Sequence, residues 1–99
     1  MQRKHREVRS GLAAKGFIVD EQRRHIIFVY EDLEGRTTTA RTLLSHASAG
    51  SDISDNLLGR MARQVGLASR DFVRLIDCPM SRNDFDAVVT ERDGKNPNA

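Results

Sequence analysis

Apolar residues along this chain follow two rhythms, and the switch from one to the other marks its elements. Within residues 4–15, Val8 and Leu12 lie four apart and Gly16 follows, the pattern of a short amphipathic helix closed by a glycine in the left-handed conformation. Phe17 to Val19 and then Arg24 to Tyr30 are rich in β-branched and aromatic residues. The polar Asp20, Glu21, Gln22 and Arg23 between them suit a hairpin turn. Asp32, Leu33, Glu34 and Gly35 form a second turn. Beyond it, Arg36 to Thr42 carries Thr37, Thr38, Thr39 and Thr42 and predicts a third, mostly polar strand. The three strands are expected to make an antiparallel meander.

Residues 45–54 are small and polar and read as a loop. From Asp55 a helix is predicted to Gln64 or Val65, because Leu58, Met61, Ala62 and Val65 fall at i, i+3, i+4 and i+7, with Gly66 closing it. Ser69 reads as the N-cap of a helix carrying Phe72, Val73, Leu75 and Ile76, which Cys78-Pro79 ends. A last helix starts at Ser81, where Ser81 and Asp84 have capping-box spacing and Phe85, Val88 and Val89 supply an apolar side. The order predicts an α+β fold: helix, three-stranded meander, helix, then two C-terminal helices. Residues 1–92 are expected to form one domain and residues 93–99 a disordered tail.

Composition narrows the class. With 38% hydrophobic and 30% charged residues, the 99-residue chain is an ordinary globular mixture. It has no apolar stretch near the roughly 20 residues of a spanning helix and no signal-peptide core, so a cytoplasmic protein is expected. Cys78 is the only cysteine, which excludes an internal disulfide and a cysteine-based zinc site within one chain. No histidine pair has helical ligand spacing, and neither a metal nor a cofactor is expected. The net charge is only +2, yet the first thirty residues carry Arg3, Lys4, Arg6, Arg9, Lys15, Arg23 and Arg24 against Glu7, Asp20 and Glu21. A local basic excess of this kind fits either a polyanionic ligand or a solvated face.

In the second strand, alternation sets His25, Ile27 and Val29 on one face and Ile26, Phe28 and Tyr30 on the other. The bulkier set is expected to face the helices, which leaves His25 on the open side, beside Arg23 and Arg24. Imidazole exchanges a proton near neutral pH, so such a residue suits general acid–base chemistry as well as a plain surface position. His5 is expected to be exposed on the first helix.

Three segments in order, LAAKGF (Leu12 to Phe17), RRHIIF (Arg23 to Phe28) and LLGRMARQVGL (Leu57 to Leu67), resemble the HicA family of toxin components over about residues 5–67. The chain differs in having Arg23 and Arg24 before the histidine, and in extending through residues 68–91. The resemblance implies a compact fold like the double-stranded-RNA-binding domain, cleavage of messenger RNA, and His25 in the position of the catalytic histidine. It also implies a cognate antitoxin as partner. His46 is the candidate second acid or base, Arg23 or Arg24 would neutralise phosphorane charge, and Lys4, Arg6 and Lys15 would touch RNA phosphates.

Two other readings stand beside it. The module binds RNA or a protein without chemistry, or Met61 to Ile76 is a DNA-binding helix-turn-helix. Ile27 and Val29 need cover, from the C-terminal helices or from a partner. The threonine-rich strand is a possible edge for a homodimer.

Overall fold

The computed structural model describes residues 2–94. The chain runs β1 (Arg3–Lys4), α1 (His5–Ala14), β2 (Phe17–Asp20), β3 (His25–Glu31), β4 (Thr37–Ser45), β5 (Asp52–Ile53), α2 (Asp55–Val65), α3 (Ser69–Asp77) and α4 (Arg82–Gly94). β2, β3 and β4 form one antiparallel sheet in that order, with Phe17 opposite Tyr30 and Ile26 opposite Leu44. The α+β layout is therefore the one the two rhythms predict. Residues 45–54 are not wholly loop, because β5 pairs with β1, Arg3 opposite Ile53 and Lys4 opposite Asp52. Two-residue strands are too short to show a period. The tail expected at residues 93–99 begins inside α4, and residues 95–99 lie outside the described residues.

Alternation turns Ile26, Phe28 and Tyr30 of β3 to one side of the sheet, joined by Ala40, Thr42 and Leu44 of β4, and all are buried. Val8 and Leu12 of α1 and Leu58, Met61, Ala62 and Val65 of α2 close over that side in one apolar cluster. Burying a side chain of this size contributes about 1.5–3 kcal/mol, so the cluster is the main term holding the helices to the sheet. Ser54 caps α2 by accepting from the Leu57 N–H, and Gly66, at φ 86°, ends it with its N–H directed to the Ala62 and Arg63 carbonyls.

The C-terminal helices extend the same core. α3 buries Phe72, Val73, Leu75 and Ile76 and packs on both α1 and α2. Its N-cap residue is Ala68 rather than Ser69, and Cys78 closes it at φ 86°. α1 and α3 approach so closely at Gly11 that a Cβ there would lie 2.6 Å from the Ile76 carbonyl oxygen. α4 opens on the expected capping box, Asp84 N–H to Ser81 Oγ at 3.0 Å and Ser81 N–H to Asp84 Oδ2 at 3.3 Å. Its Phe85 lies edge-on to Tyr30 at 4.8 Å between ring centroids and stacks on Phe17 at 5.5 Å.

Polar contacts fasten α4 to the β3–β4 turn. Arg82 Nη2 donates to the carbonyls of Glu31 (2.9 Å) and Asp32 (3.3 Å). Asp86 Oδ1 accepts from the Tyr30 hydroxyl at 2.5 Å and from the Leu33 N–H at 3.2 Å. Both C-terminal helices thus lie on the inner side of the sheet, and neither covers Ile27 and Val29.

Candidate functional site

The side of the sheet that no other element covers among the described residues is built from three successive rows. His25 stands opposite Ser45, Ile27 opposite Leu43, and Val29 opposite Arg41, with Ile18 of β2 completing the last row. Ile18 is 48% exposed and Leu43 46%, unusual for large apolar side chains, whereas Ile27 and Val29 are partly shielded by their neighbours. The face is concave. A depression of about 530 Å³ is lined by Ile18, Asp20, Arg23, Ile27, Val29 and Arg41 among others.

A ladder irregularity shapes its far end. Between Val29 and Glu31 the register of β3 against β4 shifts. Thr38 bridges the gap, its hydroxyl donating to the Tyr30 carbonyl at 2.9 Å and accepting from the Ala40 N–H at 3.2 Å. Bulges of this kind bend a strand and re-aim its side chains.

His25 begins β3 and is exposed on this face, as the alternation predicts. His46 comes to the same end, one residue past the Ser45 that faces His25, and its Nε2–H donates to the Arg23 carbonyl at 3.0 Å. Arg23 itself is exposed and paired with Asp20 at 3.0 Å. The Asp20 carboxyl is held below its ordinary range, first by the Gln22 N–H it accepts and then by Arg23. Arg24 is exposed and, among the described residues, has no ionic or hydrogen-bonded partner.

The other cations stand elsewhere. Lys4 pairs with Asp52 at 2.7 Å across the β1–β5 ladder, and Arg6 is exposed beside Gly50 at the start of α1. Lys15 is buried, its ammonium donating to the Leu75 carbonyl at 2.6 Å and the Met80 carbonyl at 2.8 Å. Those bonds satisfy the end of α3 and remove Lys15 from the expected phosphate contacts.

His5 also departs from expectation. It is completely buried, and its Nε2–H donates to the Ser45 carbonyl at 3.0 Å while Nδ1 lacks a partner. A carbonyl only accepts, so Nε2 carries a hydrogen in both His5 and His46. Together with His5 N–H to Ser51 O (2.7 Å) and Arg6 N–H to Ala49 O (3.1 Å), these bonds hold the segment after β4 against the start of α1.

Arg41 joins the candidate residues from the structure alone. It is exposed on the same face as His25, and no partner engages it among the described residues. Its signal is the alternation of Arg41, Leu43 and Ser45, of which a strand ended at Thr42 holds only Arg41. The helix-turn-helix segment buries the apolar side of its second helix against α1 and α2, and Arg74 there pairs with Asp71.

Among the described residues, no group of three or more His, Cys, Asp or Glu is placed to hold a metal ion, and no helix is long and apolar enough to cross a membrane. Comparison with protein-family models, with curated proteins and with solved structures finds no match for the chain.

Proposed function

We propose that the open face of the sheet binds RNA and that His25 is the general base of an endoribonuclease acting there. The carrying observation is the exposed imidazole of His25 at one end of a sheet face left open among the described residues, beyond the depression that Arg23 and Arg41 border. The resemblance to HicA toxins supports the same reading, since the helix, meander and helix order sets the histidine of RRHIIF facing outward.

In this mechanism His25 takes the proton of a ribose 2′-hydroxyl. The freed oxygen attacks the adjacent phosphorus, the bond to the 5′-oxygen breaks, and that oxygen leaves with a proton. The products are a 2′,3′-cyclic phosphate and a 5′-hydroxyl end. The requirement for a 2′-hydroxyl makes RNA the substrate and DNA inert. Arg23 or Arg24, next to the histidine in sequence, neutralises charge growing on the phosphorane oxygens. His46 is the candidate acid for the leaving oxygen, which would take a proton from Nδ1 of the imidazolium while Nε2–H stays on the Arg23 carbonyl and fixes both residues at this end of the sheet. By the same resemblance, a small antitoxin would occupy the face.

The test is incubation of the purified protein with mixed-sequence RNA in chelator, wild type beside His25→Ala. Cleavage by wild type that leaves cyclic phosphate ends and is lost in the variant supports the reading. Equal cleavage by both would overturn it. RNA binding without any cleavage would favour a non-catalytic module instead.

A further inference from the structure

We infer that Arg41 is a phosphate-binding residue and that Ile27 and Leu43, in the row between it and His25, seat a base, so that a single RNA strand lies along β3 and β4. This rests on the proposal that the open face takes RNA, and it adds a direction, a length and named contacts. The rows His25–Ser45, Ile27–Leu43 and Val29–Arg41 follow one another along the strands. Successive rows on one face are about 6.7 Å apart, so Arg41 stands about 13 Å beyond the histidine row, a distance spanned by a few nucleotides.

Charge and surface chemistry select the occupant. Arg41 is exposed and unengaged among the described residues, which suits a cation awaiting an anion. At the other end Arg24 is likewise unengaged. Among the described residues of the depression, Asp20 is the only carboxylate, and Arg23 pairs with it. The middle of the track is aliphatic, with Leu43 nearly half exposed. A duplex hides the faces of its bases and would press charged backbone against Ile18 and Leu43, whereas an unpaired strand can lay a base on that apolar ground. Aliphatic contact reads no base identity, so sequence tolerance follows.

Fluorescence anisotropy with a labelled hexanucleotide of 2′-O-methyl uridine tests this, because the methyl group blocks the proposed attack and the wild-type protein can be used whatever its activity. One lost phosphate contact on a single strand should lower the slope of log affinity against log salt by about 0.7. Arg41→Ala is expected to weaken binding and reduce the slope by that amount, while Arg41→Lys restores the slope. Leu43→Ser is expected to weaken binding with the slope unchanged, and Arg60→Ala on the exposed side of α2 to change neither. An RNA duplex of the same length should bind more weakly than the single strand.

An unchanged slope in Arg41→Ala would overturn the inference, as would preference for the duplex. Loss of binding accompanied by a Leu43-dependent dimer in sedimentation would overturn it too, by showing the face to be taken by a second copy. Failure of cleavage alone leaves these readouts intact, so the fate of the nuclease proposal and that of the track are separable.

Discussion

The ammonium of Lys15 lies 2.6 Å from the carbonyl oxygen of Leu75, joining the end of α1 to the end of α3 across 60 residues of sequence. A buried cation is costly unless its donors are used, and here Met80 takes a second one. Replacing Lys15 with methionine keeps the stem and strands both carbonyls. Hydrogen bonds to charged groups are worth about 1.5–3 kcal/mol, so urea denaturation should show a loss of about that size. The proposed affinity for RNA is expected to be the same as in wild type, in contrast with Arg41→Ala.

Tyr30 is the only tyrosine, so its ionisation can be followed alone by absorbance near the phenolate band. Burial, and then the hydrogen bond it donates to Asp86, push its pKa from the ordinary 10.0 up to about 12. The folded value exceeds the unfolded one, so the associated stability is complete below about pH 10 and disappears as pH rises through about 12. Titration should therefore show a midpoint near 12 in the folded protein and near 10 in denaturant. A midpoint near 10 in both would contradict the Tyr30–Asp86 contact.

Gly11 admits no side chain. A Cβ at 2.6 Å from the Ile76 carbonyl oxygen meets backbone, which cannot swing aside as a flexible side chain would. Gly11→Ala should cost about 1–3 kcal/mol by forcing α3 away from α1, despite the better helix propensity of alanine. The thermal midpoint of the variant checks this. A rise in that midpoint would mean that the two helices pack less tightly.

Under the proposed mechanism His25→Ala removes the general base, and it does so without touching the core, since the ring is exposed. Proton transfer by a positioned side chain supplies about 10²–10⁴-fold, so RNA cleavage is expected to fall within that range while the thermal midpoint holds. His5→Ala should behave oppositely, lowering stability through the lost bond to the Ser45 carbonyl.

Much of the architecture was legible because it rests on local periodicity. The split of β3 into His25, Ile27 and Val29 against Ile26, Phe28 and Tyr30, the extent of α2, and the Ser81–Asp84 box all follow from spacing within one element. What escaped depends on distant partners. Lys15 and His5 look like surface residues until carbonyls from α3 and the end of β4 arrive beside them. The end of β4 is hidden in the sequence because Leu43 and Leu44 are both apolar, which obscures the alternation that sends one outward and the other into the core.

The open face is tethered at both ends. Arg82 and Asp86 grip the β3–β4 turn, while His5 and His46 secure the ends of β4 and of the β2–β3 turn. A molecule settling there meets a surface whose shape is already set, and little chain freedom is surrendered on contact. Association should accordingly proceed in a single fast step, with a heat-capacity change no larger than the small apolar area of the platform dictates.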